Sequence, residues 1–421
     1  MTRSPVPRPR VALSTLWRHR DFLLLWGGQS VSRIGDQFTG LAVPYIAAFV
    51  LGAHEVEMGF LGAAGTVPFL LFGLLVGVWV DRRAKRSVLI FADLGRGTMV
   101  AAIAVLGIIG LLHLAYLYVF AFLIGILTVF FDVAYQAYLP AIVDRGQLVD
   151  ANSKLETSNT FASTFGPGIA GPVIDLFRAP FAMLFDAASF AVSAASLGAI
   201  RRRETIAARP PGESILSQIR EGLHVVLRER RLRHIAACTG WSNFFSSAVF
   251  SALFLLFLKD LGFTATTLGL LFGLSSVGGI LGAIFSGRIA KRIGVGPAII
   301  LGAVIFGLPP LPIPFVTSSI ALPAIAILLG ISFFGNLLYN INQVSFRQAI
   351  VPVAMQGRLN ATMRTIVWGT LPLGALFGGF LGSLIGLRPA ILVLFLAGGI
   401  SFLFVLFSPV RQIVEMPESA P

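Results

Sequence analysis

The chain has 421 residues, of which 56% are hydrophobic and only 12% are charged, and its mean hydropathy is +0.85. Soluble domains carry about 25% charged residues, so this composition excludes a water-soluble globular protein and predicts that the chain lies in a lipid bilayer. The formal net charge is +13, but Lys and Arg stand in short runs between apolar segments, so nucleic acid is not expected as a partner.

A helix needs about 20 mainly apolar residues to cross the hydrocarbon core of a bilayer. Twelve such spans follow one another, near residues 21–48, 56–80, 87–110, 114–138, 155–176, 180–200, 234–258, 264–287, 296–316, 320–344, 358–385 and 387–408. The predicted fold class is therefore an all-α membrane protein with twelve transmembrane helices. We divide it into an N-terminal six-helix bundle (1–200), a cytoplasmic linker (201–233) and a C-terminal six-helix bundle (234–421).

The distribution of basic residues predicts the orientation in the membrane, because cytoplasmic loops collect Lys and Arg. If the N-terminus is cytoplasmic, most of the 32 basic residues fall on cytoplasmic segments, whereas Arg178, Lys259 and Arg388 lie outside. We therefore expect a multi-pass protein of the bacterial inner membrane with both termini in the cytoplasm. The single cysteine, Cys238, leaves no internal disulfide and no multi-cysteine metal site, and we predict no cofactor.

The linker between the sixth and seventh spans combines a chain breaker with a helical pattern. Arg209-Pro-Pro-Gly212 is followed by apolar residues at positions 215, 219, 223 and 226, with Arg and Glu between them. This spacing predicts an amphipathic helix on the cytoplasmic membrane surface, which tethers the two halves.

The two halves repeat each other along the sequence. The basic segment 81–86 after span two parallels 287–292 after span eight. At an offset of 208, Thr128, Asp132 and Tyr135 of span four align with Asn336, Asn340 and Gln343 of span ten. Because positions i, i+4 and i+7 share one helix face, each half presents a polar stripe. Duplicated six-helix halves imply a central cavity and alternating access by rocking.

The loop between spans two and three has a recognisable pattern, a Gly followed by Asp-Arg and a further basic residue: Gly77-Val-Trp-Val-Asp81-Arg82-Arg-Ala-Lys-Arg86. In these residues the sequence resembles the major facilitator superfamily. The resemblance implies that Asp81, Arg82 and Arg86 latch the two halves together in the outward-facing state. The predicted latch comprises Gly77, Asp81, Arg82, Arg86, Asp93, Arg96 and Asp132. We expect Asp132 to pair with a basic residue of the loop; positive-inside topology alone is the alternative explanation of the basic residues.

Span five contains a second pattern, Gly166-Pro167-Gly-Ile-Ala-Gly171, which is similar to the antiporter motif of major facilitator exporters. Ala170 and Ala162 stand where that motif has glycines. The pattern either kinks span five or permits close helix packing, and packing is the interpretation that we favour.

The segments 132–140 and 152–156 resemble one subgroup of the superfamily, the bacterial macrolide-efflux and siderophore-export proteins. The resemblance implies ion-driven export of an amphipathic small molecule such as a drug, a siderophore or a secondary metabolite. No phosphate-binding Gly-x-x-x-x-Gly-Lys-Ser/Thr loop is present, so the expected driving force is a gradient of protons, or alternatively of sodium.

Charged residues inside the spans are candidates for coupling, because one at mid-helix costs roughly 2.5–3.5 kcal/mol and needs a partner. Arg33 and Asp36 in span one form a predicted i,i+3 pair, as do Asp93 and Arg96 in span three. Asp36 lies about 22 Å along the helix from Asp21, which places it near mid-membrane. We predict Asp36, with Arg33, as the proton carrier; a static ion pair is the alternative.

The predicted substrate cavity combines amide and aromatic side chains of spans seven and ten. The candidates are Asn336, Tyr339, Asn340, Gln343, Trp241, Asn243 and Phe244. Small-molecule sites are mainly apolar with a few convergent polar groups. A membrane asparagine binds a neighbouring helix as readily as a ligand, so packing is the alternative role.

The leading hypothesis from the sequence is a monomeric, proton-coupled exporter. An importer or facilitator of a small polar nutrient is the second, and a non-transporting receptor or scaffold is a third from another class. We predict no enzymatic activity and no metal site, because the sequence shows neither a cluster of metal ligands nor a nucleophile with its base.

Overall fold

The computed structural model of the chain describes residues 15–144, 147–202, 204, 223–351 and 353–415. These residues are almost entirely helical, and no strand occurs among them. In the N-terminal half the helices are α1 (Arg20–Tyr45), α2 (Glu55–Asp81), α3 (Lys85–Ile108), α4 (Leu114–Ile142), α5 (Leu148–Phe177) and α6 (Ala179–Ala199). In the C-terminal half they are α7 (Arg230–Leu255), α8 (Ala265–Ile293), α9 (Val295–Gly307), α10 (Ala321–Ile350), α11 (Val353–Trp368), α12 (Thr370–Ile385), α13 (Leu387–Gly399) and α14 (Phe402–Leu406).

The packing of helices repeats between the halves. In the first half α1 packs on α5 and α6, α3 packs on α4 and α6, and α2 packs on α4. In the second half α7 packs on α12 and α13, α9 packs on α10 and α13, and α8 packs on α10. When α11 with α12 and α13 with α14 are each taken as one span, these are the same pairs, shifted by six spans. The expected fold of two pseudo-symmetric bundles is therefore confirmed.

The first helix of each half also ends in the same way. A π-helical turn follows α1 at Ile46–Val50 and another follows α7 at Leu256–Asp260. Each turn is followed by a glycine with positive φ, Gly52 at +70° and Gly262 at +66°. Glycine adopts this conformation at little cost because it has no Cβ. The turns after α1 and α7 therefore have the same backbone conformation at this glycine.

The helices differ from the predicted spans in length and continuity. Within the described part of the chain, nine are long and apolar enough to cross a membrane; α1 and α5, which carry several polar side chains, are not among them. The predicted ninth span ran to residue 316, but α9 ends at Gly307 because prolines at 309, 310, 312 and 314 cannot continue a helix. The eleventh span consists of α11 and α12, which meet at Gly369.

Contacts at one end of the N-terminal bundle tie alternate helix ends together. The guanidinium of Arg86, at the start of α3, donates to the carbonyl oxygens of Leu197 and Gly198 at the end of α6. Arg202 donates to the carbonyl of Ile142 at the end of α4. Cations beside helix C-termini are stabilising. The ends of α4 and α6 and the start of α3 thus lie at the same end, as an up-and-down bundle requires. Of the predicted amphipathic linker helix, only residues 223–228 lie within the described residues, and they are helical.

The two halves meet along two helix pairs, α2 with α12 and α5 with α8. Gly59 of α2 lies against Gly379 of α12, and a methyl group on Gly379 would lie 2.6 Å from the carbonyl oxygen of Glu55. Gly171 of α5 lies against the backbone of Ala265, and Gly269 of α8 against the carbonyl of Pro167. Small residues allow such close approach of membrane helices. We call these four residues (Gly59, Gly171, Gly269 and Gly379) the glycine seam.

Polar contacts surround the glycine seam at the same end of the molecule. The carboxylate of Asp175, near the end of α5, accepts hydrogen bonds from the backbone N–H groups of Ala265 (3.1 Å) and Thr266 (2.8 Å) at the start of α8. A carboxylate at a helix N-terminus is favourable because the N–H groups there have no partner in the helix. The Lys259 ammonium donates to the carbonyl of Ala53 at 2.8 Å. The halves are thus closed against each other at this end.

Candidate functional site

The N-terminal half contains a buried cluster of charged and polar side chains. Arg96 is paired with Asp93 on α3, and both are almost completely buried. The hydroxyl of Ser193 on α6 donates to Asp93 Oδ2 at 2.6 Å and accepts from the amide of Gln29 on α1 at 2.8 Å. The pair thus links three helices of one half. Asp93 and Arg96 are predicted parts of a latch between the halves; in this structure their described partners lie inside one bundle, and the latch role stays a prediction.

Arg33 and Asp36 form the predicted pair on α1, with Arg33 Nη1 3.6 Å from Asp36 Oδ2. Their side chains are 34% and 29% exposed. Arg33 also lines a polar cavity of about 130 Å³ between α1, α4 and α5, together with Gln29, Ser30, Tyr135, Asn152, Leu155, Glu156, Ser158 and Asn159. The Asp36 carboxylate is therefore paired with a cation and not fully covered by other atoms of the chain.

Asp186 on α6 is a further acid of this region, and it is not among the residues predicted from the sequence. Its side chain is buried, with 1% exposure. The hydroxyl of Thr39 on α1 donates to Asp186 Oδ2, and the hydroxyl of Ser189 donates to Asp186 Oδ1 at 3.1 Å. Gly35 lets α1 approach, since a Cβ there would collide with Ser189. The signal was available: Asp186 is the one charged residue in the predicted span 180–200.

Asp132 on α4 pairs with Arg364 on α11, at 3.2 Å between Oδ2 and Nη2. The expectation that Asp132 pairs with the loop after α2 is therefore wrong in this structure; its partner belongs to the other half. The Arg364 guanidinium also lies over the ring of Trp368 at 4.4 Å and near Phe69 at 5.7 Å. Sequence reasoning missed Arg364, although it stands inside the predicted span 358–385.

The loop that carries the latch motif is bonded to the start of the linker that follows α6. The Glu204 carboxylate accepts from the backbone N–H groups of Lys85 (2.8 Å) and Arg86 (2.6 Å) at the start of α3. Arg82 is exposed, and a methyl group on Gly77 would meet no atom within 4 Å. The side chain of Asp81 lies outside the described part of the chain. The latch therefore stays a prediction.

The antiporter-like residues lie at close helix contacts. A Cβ at Gly166 would collide with Gln37 of α1, and one at Gly171 would collide with Ala265 of α8. Pro167 lies inside the continuous helix α5. These contacts agree with the packing interpretation of the pattern, which stays a prediction.

The predicted cavity residues of α7 are bonded to neighbouring helices. Trp241 Nε1 donates to the carbonyl of Ala397 on α13 at 2.6 Å, and Asn243 Nδ2 donates to the carbonyl of Val367 on α11 at 3.2 Å. The ring of Phe244 packs on Phe377 of α12. For Trp241 and Asn243, the alternative of helix packing describes the structure better than cavity lining.

The predicted cavity residues of α10 differ in burial. The Tyr339 hydroxyl lies 2.7 Å from Thr239 Oγ1 of α7 and is buried. Gln343 is buried and donates to Asn340 Oδ1 at 3.0 Å. Asn340 is exposed and Asn336 is half-buried. The structure brings these residues together on one helix but does not place them in the described cavities.

A second cavity, larger than the polar one, lies between α1, α2 and α4 with α7 closing one side, and its volume is about 330 Å³. It is lined mainly by apolar groups, with three hydroxyl side chains. The lining residues are Thr39, Gly40, Val43, Pro44, Met58, Leu61, Gly62, Gly65, Phe69, Ile103, Leu117, Ala121, Ile124, Gly125, Thr128, Phe250, Ser251 and Phe254. Thr39 both lines this cavity and bonds to Asp186, which connects the cavity to the buried acid. Sequence patterns indicated only Thr128 among its members.

A family model described as Major Facilitator Superfamily matches residues 25–369 and again residues 236–419. The chain belongs to the Major Facilitator Superfamily. Its curated relatives include the multidrug efflux pump Tap of Mycolicibacterium fortuitum, 29% identical over 86% of this chain and 88% of the relative. Macrolide efflux protein A of Streptococcus pyogenes is 24% identical over 43% of this chain and 44% of the relative.

Solved structures of other transporters have a similar fold. The crystal structure of the nucleoside transporter NupG superposes with a TM-score of 0.72 over 92% of this chain and 98% of that one, at 11% identity. As a Major Facilitator Superfamily member, the protein is a multi-pass transporter of the cell membrane and not an enzyme.

Proposed function

We propose that this transporter exports an amphipathic small molecule, driven by protons, through alternating access of its two halves. The observation that carries the proposal is the apolar cavity of about 330 Å³ beside the acids of the N-terminal half. Its polar groups are the hydroxyls of Thr39, Thr128 and Ser251. A largely apolar wall with few convergent polar groups suits an amphipathic ligand better than a sugar.

The relatives support the direction of transport. Tap is named a multidrug efflux pump, and the streptococcal relative is named a macrolide efflux protein. The match to Tap spans most of both chains. Export of drug-like compounds is therefore the activity that the sequence comparison favours over uptake of a nutrient.

The contacts between the halves support alternating access. The glycine seam and the Asp175 contacts close one end. Toward the other end, α5 exposes polar side chains, which are Asn152, Ser153, Glu156, Thr157 and Thr160. Exposed polar groups on a membrane helix need water or protein around them. We propose that this half of α5 lines a water-filled opening, on the cytoplasmic side in the predicted orientation.

Asp36 is the proposed point of entry for the driving proton. It is paired with Arg33, partly exposed, and located in the same half as the apolar cavity. Moving one proton down the membrane potential supplies about 2.3 kcal/mol per 100 mV. We further propose that Asp81, Arg82 and Arg86 stabilise the opposite state of the cycle; a transport rate and a conformational balance that survive Asp81→Asn unchanged contradict that role.

The test of export uses bacteria that lack their own efflux pumps and a panel of macrolides, siderophores and amphipathic dyes. We expect expression of the chain to lower the accumulation of at least one compound, and an uncoupler to abolish this effect. Repeating the assay without sodium separates the two candidate ions. Energised accumulation inside the cells shows uptake instead and rejects export.

The test of the cavity compares two enlargements of the same helix. Ala121 lines the cavity, whereas the side chain of Leu123 is 37% exposed. We expect Ala121→Phe to fill the cavity and abolish efflux of the larger compounds, while Leu123→Phe retains it. Equal efflux by the two variants, at equal amounts in the membrane, assigns the substrate to another site.

A further inference from the structure

We infer that Asp186 binds the coupling proton, that Thr39 connects this proton to the apolar cavity, and that the exported compound is an amphipathic amine. The roles in coupling and export rest on the proposed function. Its geometry is independent of that function, because it depends on an acid, a hydroxyl and a cavity that touch one another.

Asp186 is buried, and no cation pairs with it among the described residues. Its side chain is 1% exposed, and its described partners are the hydroxyls of Thr39 and Ser189. The other interior acids of this half each pair with arginine, as Asp36 does with Arg33. No ion pair among the described residues includes Asp186. A buried carboxylate without a cation is costly enough that such a group exchanges its charge for a proton.

The second step is the electrostatic surroundings of Asp186. From α1 the negative charge of Asp36 acts on it, and from α3 the positive charge of Arg96, which is already paired with Asp93. Residues 157–177 of α5 contain one titratable side chain, Asp175, whose carboxylate is bonded to α8. Asp36 is therefore the neighbouring acid with which Asp186 can exchange a proton, and Asp36 is partly exposed.

The third step is the connection to the cavity. When Asp186 is ionised, Thr39 donates its hydroxyl proton to Asp186 Oδ2, as observed. The Thr39 oxygen then keeps its lone pairs for a ligand in the cavity that Thr39 lines. When Asp186 is protonated, its own O–H can donate to Thr39 and occupy a lone pair. A ligand with a cationic N–H group is therefore favoured by the ionised state. Binding such an amine releases one proton, as an exporter that exchanges protons for substrate requires.

The first experiment measures the proton itself, on the purified chain in lipid nanodiscs, by infrared spectroscopy of the carboxyl C=O band across a pH titration. We expect the protonated-carboxyl band of the wild type to be missing in Asp186→Asn and present in Asp36→Asn. Asp186→Glu should restore a band. Identical titrations of the wild type and Asp186→Asn, both folded by circular dichroism, overturn the inference. This measurement needs no transport activity, so it is separate from a failure of the proposed function.

The second experiment measures coupling with rhodamine 6G, an amphipathic dye that carries N–H groups and a positive charge. We expect wild-type binding to weaken as pH falls, by at most tenfold per pH unit for one proton, and dye binding to release protons. Asp186→Asn should bind with a pH-independent Kd. Thr39→Val should keep the infrared band of Asp186 but lose the proton release. Proton release that persists in both variants, or a wild-type Kd that does not change with pH, overturns the inference.

Discussion

Arg364 on α11 and Asp132 on α4 form an ion pair across the halves, and neither side chain is fully buried, at 31% and 22% exposure. Arg364 gains further contact from the ring of Trp368. Its side chain thus holds the C-terminal half to the N-terminal half away from the glycine seam. This position makes the pair a contributor to the balance between the conformational states.

We predict that Arg364→Gln shifts this balance away from the observed state. Partly exposed pairs contribute about 0.2–1 kcal/mol, which corresponds to at most about a fivefold change in the ratio of states. The double exchange Asp132→Arg with Arg364→Asp should restore part of the ratio, measured by distances between spin labels on the two halves. Lys154→Gln, which removes a pair within α5, is the control and should leave the distances unchanged. An unchanged ratio in Arg364→Gln contradicts the prediction.

Sequence reasoning identified some charged residues of the interior and missed others for a physical reason. An i,i+3 pair such as Arg33–Asp36 can be predicted because both partners lie on one helix face. Arg364, the partner of Asp132, and Thr39, one of the two partners of Asp186, stand on other helices, and one sequence carries no information on which helices touch. For the amide side chains of α7 and α10 and the indole of Trp241, the sequence allows either a role in substrate binding or a role in helix packing. In the structure, Trp241 and Asn243 each donate a hydrogen bond to a backbone carbonyl of a neighbouring helix.

At the scale of helices, the glycine seam determines how closely the halves approach. Gly269 of α8 lies against the carbonyl of Pro167 and 3.3 Å, measured from an added Cβ, from the Cα of Gly171. These neighbours are backbone atoms in helices and cannot rotate away. The contact therefore has no room for a side chain at Gly269, and a larger residue there must separate α5 from α8.

We predict that Gly269→Ala destabilises the state closed at the seam. Overpacking costs about 1–3 kcal/mol, or roughly a 5- to 150-fold change in the ratio of states. Fluorescence transfer between labels on α5 and α8 should report a larger separation at this end. Gly287→Ala lies on the same helix with no atom within 4 Å of its added methyl group, so it should leave the separation unaltered. A closed seam in Gly269→Ala, at equal protein folding, refutes the argument.

The helices themselves could be predicted well from apolar length, and their ends less well. The stretch 296–316 is apolar throughout its length, so hydropathy alone extended the ninth span past Gly307, whereas its prolines end the helix. The break between α11 and α12 at Gly369 leaves no mark in hydropathy. Single proline and glycine residues decide these boundaries. Hydropathy is averaged over many residues, so it does not detect them.

At the scale of the whole molecule, the two halves share a packing pattern but differ in chemistry. The interior acids described here, Asp36, Asp93, Asp132 and Asp186, belong to the N-terminal half. At the repeat offset, Asp132 corresponds to Asn340, which carries no charge. The repeat predicted the fold because packing was retained in both halves, but it did not predict which half holds the acids near the cavity.

The predicted orientation leads to a labelling experiment on intact cells. We expect Leu111→Cys, in the exposed loop after α3, to react with a membrane-impermeant maleimide added outside. Ser217→Cys in the linker should react only after the membrane is permeabilised, because Lys and Arg keep that segment in the cytoplasm. The reverse pattern of labelling excludes the orientation with cytoplasmic termini.

Cys238 is the one cysteine of the chain, and it is fully buried in α7. Reagents that modify exposed thiols are therefore expected to react very little with the natural protein. Two new thiols, one on each flank of the opening, would carry probes without any native residue being removed for that purpose. The opening and closing of single molecules could then be followed in real time on a protein that is otherwise unaltered.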